Sequence, residues 1–338
     1  MKIDIEFNSG AQLPMDAIPE LARSAEIHGF DCAWGGEANN KDPTVMLSAI
    51  AAVTTRLKVG SAVYHILGRT PATLALQAVG LDELSGGRFL LGIGSSNPTM
   101  AKWHGQSLDR PLAQVREYME ITRAAMHGEK LSFEGKHFSA HNFKLAFKPS
   151  SRSIPIYLAA FGPKMTRLAG RISDGVLINM ANPAEIRRIR EEMSSGALEA
   201  GKDPSKMEVI CKIRCSIAPS YTVAREALSH ALTYYALADY YRDLLGRMGF
   251  GEDVEAMRSA WKAGGFHAAR KMVTDRMFSS LPLVAATSAH EVVQQIKPYI
   301  DAGASRIILP YVAASEDIVG ELKNFIDYWS PATTGLLE

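Results

Sequence analysis

Residues 154–182 read IPIYLAAFGPKMTRLAGRISDGVLINMAN, a pattern typical of one strand–helix–strand unit. Residues 154–159 are apolar and favour a strand, which Gly162-Pro163 interrupts, and proline is well tolerated at a first helical position. Residues 164–171 have apolar side chains at helical spacing, and 176–179 form a second apolar strand. Such a unit requires two parallel strands joined by a right-handed crossover helix.

The turn at Gly162-Pro163 is a candidate anion-binding site. It places free backbone N–H groups at the start of a helix, with Lys164 beside them, and this arrangement suits a phosphate. Short glycine turns also occur in strand–helix–strand units that bind nothing. The turn alone therefore leaves both interpretations open.

Strand-like and helical segments alternate along the rest of the chain. The predicted strands are 3–7, 31–34, 57–63, 88–93, 154–159, 176–179, 207–218 and 306–310. Eight strand–helix units predict an α/β fold with a closed (β/α)8 barrel in one domain, 1–338. An open doubly wound sheet is the alternative, but its G-x-G-x-x-G signature is absent after the first strand. Two insertions interrupt the alternation, a β-hairpin near 132–147 and a mostly helical segment near 221–281, before the last strand.

Composition excludes several classes of protein. The chain has 338 residues with 37 basic and 36 acidic side chains, a net charge of +1, and no basic stripe of the kind that binds nucleic acid. No apolar run approaches the roughly eighteen residues of a membrane span. The strand-like start MKIDIEF is unlike a secretory signal, and three cysteines form no disulfide framework. We expect a cytoplasmic protein that acts on a small molecule.

In a barrel of this kind the active site lies at the carboxyl ends of the strands. Those ends are rich in glycine, serine, asparagine and alanine here. They contain no metal-ligand spacing and no nucleophile elbow G-x-S-x-G, so we predict no metal site. A flat, uncharged cofactor with a phosphate tail suits such a rim better than a metal ion does.

Three segments resemble a known family. RLKVGSAV (56–63), LDELSGGRFLLGIG (81–94) and the stretch 154–183 resemble the bacterial-luciferase-like superfamily of flavin and deazaflavin enzymes. Within it, they resemble the coenzyme F420-dependent methylenetetrahydromethanopterin reductases and related F420 oxidoreductases. The resemblance covers most of the chain and is weak in 221–281.

The resemblance implies a (β/α)8 barrel, a homodimer and F420 as cofactor, with FMN as the alternative. It also implies a non-proline cis peptide bond at Ala62-Val63, behind the deazaflavin ring. The residues that it assigns to the cofactor are Gly60, Ser61, Ala62 and Val63 at the ring, Ser95, Ser96 and Asn97 at the ribityl chain or ring edge, Ala159, Ala160, Phe161, Gly162, Pro163 and Lys164 at the phosphate, and Asn179, Met180 and Ala181 beside the same tail.

The chain departs from the family at one catalytic position. Many relatives have an acidic residue followed by histidine after the second strand, whereas here Glu37 is followed by Ala38. A partly buried carboxylic acid can also donate a proton near neutral pH. The ionisable candidates for catalysis are therefore Glu6, Glu37 and His65.

Three functions follow from these features. The first is an F420-dependent oxidoreductase that transfers a hydride between deazaflavin C5 and a small organic substrate. The second is an FMN-dependent luciferase-like monooxygenase. The third is a non-catalytic flavin-binding barrel, which the absence of histidine at Ala38 would favour.

The predicted homodimer has one physical argument of its own. The predicted helices 43–55 and 71–84 have apolar residues on more than one face, namely Val45, Met46, Leu47, Ile50 and Val53 in the first and Leu74, Leu76, Val79 and Leu81 in the second. A barrel helix needs one apolar stripe against the sheet, so a second stripe indicates a partner. The alternative is that the hairpin or the helical insertion covers this face within the same chain.

Overall fold

The structure is a computed structural model that describes residues 2–7, 13–150 and 153–329. Its strands are β1 (Lys2–Glu6), β2 (Cys32–Gly35), β3 (Lys58–Ser61), β4 (Tyr64–His65), β5 (Phe89–Gly94), β6 (Leu131–Glu134), β7 (Ser139–Phe143), β8 (Ile156–Ala159), β9 (Gly175–Asn179), β10 (Glu208–Lys212), β11 (Arg214–Ile217), β12 (Leu283–Ala286) and β13 (Arg306–Pro310).

Helices pack around the strands. They are α1 (Ile18–Ile27), α2 (Pro43–Val53), α3 (Pro71–Leu84), α4 (Pro98–Trp103), α5 (Pro111–Met126), α6 (Pro163–Ile172), α7 (Pro183–Glu199), α8 (Tyr221–Leu237), α9 (Asp239–Arg247), α10 (Gly251–Arg270), α11 (Asp275–Ser280), α12 (Ala289–Asp301) and α13 (Ile318–Tyr328). Several begin with a capping side chain followed by proline, as at Asp42-Pro43 and Asn182-Pro183. This combination satisfies the free N–H groups of the first turn.

Eight parallel strands close into a barrel. The order is β3-β2-β1-β13-β10-β9-β8-β5, and β5 pairs back onto β3 at Val59↔Phe89 and Gly60↔Leu90. The predicted (β/α)8 barrel is confirmed, and each of the eight predicted strands contributes to it. The predicted hairpin is β6–β7, and the helical insertion forms α8 to α11.

Side chains alternate strictly along β10 and β11. Ile210 points into the barrel, where it packs with Trp34 and Ile308. Cys211 and Cys215 point outward into the core beneath the helices. The period of two along a strand therefore directs Lys212 and Arg214 to the same side as Ile210, towards the barrel axis and its mouth.

Three details of the fold differ from the prediction. The predicted strand 207–218 is interrupted at Ile213, and 57–63 is divided by the cis peptide bond that follows β3. A further parallel strand, β12, lies beside β11 between the helical insertion and the last barrel strand. Its four residues are too few and too close to the insertion for the apolar pattern to separate them.

The predicted second apolar face of α2 and α3 is mostly wrong. Their apolar residues pack inside this chain, since Met46, Leu47, Ile50, Leu74, Val79 and Leu81 are all buried. Neighbouring barrel helices contact each other as well as the sheet, and these contacts cover the flanks. Val45 and Leu76 remain exposed, at 61% and 46%.

None of the helices within the described ranges is long and apolar enough to cross a membrane. Within the same ranges, no three histidine, cysteine or acidic side chains are grouped as metal ligands would be.

Candidate active site

The predicted cis peptide bond between Ala62 and Val63 is present, and it lies between β3 and β4 at the barrel mouth. The carbonyl oxygen of Ala62 accepts a hydrogen bond from Lys212 Nζ at 2.8 Å, and that of Val63 accepts one from the Glu37 N–H at 3.2 Å. A Cβ on Gly36 would lie 2.7 Å from the Ala62 oxygen, so the close approach of the chains requires glycine there. Neighbouring strand ends thus fix this bulge from two sides.

Gly60 and Ser61 have structural partners of their own. A Cβ on Gly60 would lie 2.4 Å from the Trp34 ring, so this glycine makes room for the tryptophan. The buried Ser61 hydroxyl donates to the Gly92 carbonyl at 3.0 Å and accepts from the Gly92 N–H at 2.8 Å. Both residues support the bulge, and their contact with the cofactor ring stays a prediction.

Glu6 and Lys212 form a buried ion pair at the ends of β1 and β10. Lys212 Nζ lies 3.0 Å from Glu6 Oε1 and 2.9 Å from Oε2, and it also donates to the Ala62 carbonyl. Both side chains are more than nine-tenths buried. The predicted candidate Glu6 is therefore in contact with the cis-peptide bulge through a lysine that sequence reasoning missed.

Glu37 is fully occupied by other groups. Its carboxylate accepts a bidentate pair from Arg69 at 2.5 and 3.1 Å and a third hydrogen bond from the His65 N–H at 2.9 Å. Arginine does not release its proton in proteins, whereas lysine can. Of the two glutamates, Glu6 is the one whose partner can take part in proton movement.

His65 lies directly after the bulge and is buried, with a side chain 3% exposed. Burial lowers the pKa of its imidazole, and nearby Glu37 opposes this shift. This shift favours the neutral ring. Neither ring nitrogen has a hydrogen-bond partner among the described residues, and Nε2 lies 3.5 Å from Glu37 Oε2. An unpaired buried imidazole at the mouth is available to a ligand.

The phosphate turn predicted at Gly162-Pro163 opens α6. The Thr166 N–H makes the first helical hydrogen bond, to the Gly162 carbonyl at 2.9 Å. A Cβ on Gly162 would meet no atom within 4 Å, so the turn faces open space. Lys164 is exposed and forms no ion pair with any described residue.

Arginines reinforce the positive charge of this turn. Arg188 and Arg247 both donate to the Phe161 carbonyl at 3.0 Å, and both pair with the single carboxylate of Glu185. Two cations against one anion leave one excess positive charge beside the turn. Arg167 and Arg171, by contrast, pair with acidic side chains of α7, which balance their charges.

Two other strand ends adopt a strained backbone. Ser96 and Met180 have φ values of +75° and +59°, in the left-handed region that costs non-glycine residues about 1–3 kcal/mol. Such strain is concentrated at functional sites. The Ser96 hydroxyl oxygen is buried and has no partner in the described ranges, so it is free for a ligand.

The remaining predicted residues differ in which groups they can present to a cofactor. The Asn97 side chain caps α4 by accepting from the N–H groups of Thr99 and Met100, both at 3.0 Å. Ala160, Met180 and Ala181 are buried in apolar clusters, so only their backbones can face a cofactor. Half-buried Ser95 and Ala159 remain at the rim with Pro163 beside them.

Asn179 is joined to Arg214, which lies at a predicted strand end but was not among the predicted site residues. Arg214 Nη1 donates to Asn179 Oδ1 at 2.7 Å, and Asn179 Nδ2 donates to the Tyr241 hydroxyl at 2.6 Å. The Arg214 guanidinium lies over the Tyr235 ring, 4.4 Å from its centroid. The sequence contains a signal for this residue, because every second position of the strand is polar at Lys212, Arg214 and Ser216. A buried strand with only a structural role would have apolar residues at these positions.

Comparison with known proteins agrees with this architecture. The chain is 31% identical over 317 residues to a 5,10-methylenetetrahydromethanopterin reductase of Archaeoglobus fulgidus, covering 91% of this chain and 92% of the relative. The coenzyme F420-dependent tetrahydromethanopterin reductase of Methanopyrus kandleri superposes with a TM-score of 0.82 at 24% identity, covering 97% of each chain. An F420-dependent secondary alcohol dehydrogenase, in complex with an F420-acetone adduct, superposes with a TM-score of 0.77 at 23% identity, covering 97% of this chain and 98% of the other.

A family model described as luciferase-like monooxygenase matches residues 4–306. This match includes the end of β1 with Glu6, the bulge, the phosphate turn and the strands that carry Lys212 and Arg214. The chain is therefore an enzyme of the luciferase-like monooxygenase family.

Proposed function

We propose that this enzyme is an F420-dependent oxidoreductase that transfers a hydride between deazaflavin C5 and a small organic substrate. The observation that carries the proposal is the charge at the phosphate turn, where Lys164 is unpaired and one further positive charge remains beside Phe161. FMN ends in one phosphate, whereas the tail of F420 continues into a chain of carboxylates. A turn with surplus cations suits the longer anionic tail.

The residues at the mouth fit such a cofactor. Orphaned polar atoms at the rim, namely the Ser96 hydroxyl and the His65 ring nitrogens, can pair with ring or ribityl groups. Gly162 faces open space at a helix N-terminus. When bound, the deazaflavin would supply the hydride-transfer chemistry at its C5 carbon.

The protein would position the cofactor ring, exclude water from the site and hold or move a proton. The bulge at Ala62-Val63 would support one face of the ring, since Lys212 and Glu37 hold it in place. The Glu6–Lys212 pair would hold or move a proton at Glu6 Oε1, 3.0 Å from the lysine nitrogen. Burial of both groups excludes water and so strengthens their interaction.

An anaerobic turnover assay tests this proposal. Reduced F420 is mixed with the enzyme and a panel of small carbonyl and imine compounds. Oxidation of the cofactor is monitored by the change in its fluorescence. Substrate-dependent oxidation without oxygen supports the proposal. A second candidate function is an FMN-dependent monooxygenase, which the description of the matching family model supports. In that case reduced FMN would consume oxygen in the presence of substrate.

We expect Gly162→Asp to weaken binding of F420 by roughly 10- to 100-fold, because a charge-assisted contact is worth about 1.5–3 kcal/mol. The new carboxylate would occupy the position of the phosphate. Gly162 is the N-cap of α6, and aspartate is a favoured N-cap, so stability should be unchanged or raised. Fluorescence titration measures the affinity and thermal unfolding the stability.

Gly162→Asn is the matched control, since it has the same size and capping ability without the charge. Its F420 affinity should lie much nearer to that of the wild type. Equal affinities of the aspartate and asparagine variants would show that no anion is bound at this turn.

We also propose that the enzyme is a cytoplasmic homodimer. Its three cysteines, Cys32, Cys211 and Cys215, are free and buried, which suits a reducing compartment. Val45 on α2 and Leu76 and Leu84 on α3 are exposed apolar side chains that a partner could cover. Light scattering at micromolar concentration should give twice the mass of 36.8 kDa, and a monomer mass would contradict the dimer.

A further inference from the structure

Arg214 lies at the mouth of the barrel, one layer beyond the Glu6–Lys212 pair. Lys212 is in register with Asn179 on β9 and Ile308 on β13, and Arg214 follows two residues later on the same side. Two residues of a strand advance about 6.5–7 Å. The guanidinium is therefore placed above the proton-moving pair, on the side from which a substrate enters.

The positive charge of Arg214 has no acidic partner among the described residues, although the side chain is nine-tenths buried. Its two hydrogen bonds are to neutral groups, the Asn179 amide oxygen and the Tyr235 hydroxyl. Buried Arg306 and Arg69, in contrast, each pair with a carboxylate. A buried charge without a counter-charge is costly, and proteins normally pair it.

Arg88 also forms no hydrogen bond with a carboxylate among the described residues, and its role is structural. It makes five hydrogen bonds, four to backbone carbonyls and one to the Thr54 hydroxyl, and these use all five of its donors. Arg214 makes only two. Its charge and its remaining N–H groups are therefore left for something else.

The frame around Arg214 is rigid. Asn179 is fixed because it accepts from Arg214 and donates to Tyr241, and the Tyr235 and Tyr241 rings meet edge to face with centroids 4.8 Å apart. The Tyr235 ring beneath the guanidinium adds a cation–π contact. The planar group is thus held in one orientation before any ligand arrives, which favours bidentate recognition.

We propose that Arg214 binds a carboxylate of the substrate, so that the enzyme acts on an organic anion. This inference rests on the proposed function, because that function identifies the ligand at the mouth as the substrate. The cofactor phosphate has its own cations at the Gly162 turn, namely Lys164 and the arginine pair on the Phe161 carbonyl. Arg214 instead shares its face of the strand with Lys212, the partner of the proton-moving Glu6.

The test uses a charged probe and its neutral isostere. F420-loaded enzyme is titrated with sodium benzoate and with benzamide by calorimetry, at constant ionic strength. We expect benzoate to bind more tightly than benzamide. In Arg214→Gln benzoate affinity should fall roughly 10- to 100-fold and benzamide affinity should be unchanged, since a charge-assisted bond is lost. Arg214→Lys should recover part of the loss.

Exposed Arg116 on α5 provides the matched control. Arg116→Gln removes the same charge from the surface and should leave benzoate binding unchanged. Equal benzoate affinity in the wild type and Arg214→Gln would overturn the proposal. So would equal binding of benzoate and benzamide by the wild type.

A second titration distinguishes the source of the anion. FMN and riboflavin differ by the phosphate alone, so their affinities are measured for the wild type and for Arg214→Gln. If the variant weakens FMN and not riboflavin, Arg214 binds the cofactor phosphate and the substrate assignment is wrong. If the enzyme does not bind F420 but unloaded enzyme shows Arg214-dependent benzoate binding, the proposed cofactor fails while the anion site stands.

Discussion

Replacing Lys212 by methionine is expected to lower the free energy of unfolding by about 3–5 kcal/mol, the usual cost of breaking a buried ion pair from one side. Methionine fills a similar volume but leaves the Glu6 carboxylate without a counter-charge in a nearly dry site. It also removes the donor to the Ala62 carbonyl. Urea unfolding followed by circular dichroism measures the change.

Two companion variants give this experiment its control. In Glu6→Gln/Lys212→Met no charge is stranded, so the double variant should be more stable than Lys212→Met alone. Lys58→Met removes a lysine from a partly exposed pair with Asp31, which should cost about 0–1 kcal/mol. A loss for Lys212→Met as small as that for Lys58→Met would show that the pair is not buried as described.

Glu6→Gln is expected to lower turnover by roughly 10²–10⁴-fold, the contribution of a positioned acid or base, while F420 affinity stays unchanged. Glutamine has nearly the same shape but cannot exchange a proton with Lys212. Turnover is measured with the anaerobic assay and affinity by fluorescence titration. Full turnover in this variant would place the proton elsewhere, with His65 the next candidate.

Glu37→Gln separates proton movement from support of the bulge. Glu37 pairs with Arg69 and accepts a hydrogen bond from the His65 N–H, so its replacement should lower the free energy of unfolding. Turnover should fall less than it does in Glu6→Gln. A larger fall in turnover for Glu37→Gln than for Glu6→Gln would reverse the two roles.

The barrel is predictable because local patterns specify it. Most residues of the barrel strands are apolar, and each helix begins or ends at proline, glycine or a capping side chain, as at Asn182-Pro183. Register, closure and crossover handedness then follow from general rules for parallel strands. The cis bond at Ala62-Val63 came from family resemblance, since small residues at a strand end do not by themselves indicate it.

The partners of the site side chains were not predictable. Glu6 and Lys212 are separated by 206 positions, and only barrel closure through β13 brings their strands together. Gly60 illustrates the same limit, because its reason for being small is the Trp34 ring on the neighbouring strand. Sequence identifies which strand ends meet at the mouth, and tertiary packing decides which side chain pairs with which.

A paired titration of the purified wild-type enzyme with F420 and with FMN, monitored by visible absorbance and fluorescence, tests the proposed F420 dependence. We predict one F420 per chain, bound at least about tenfold more tightly than FMN, since one additional charge-assisted contact to the tail is worth about 1.5–3 kcal/mol. Tighter binding of FMN, or no binding of F420, would contradict it.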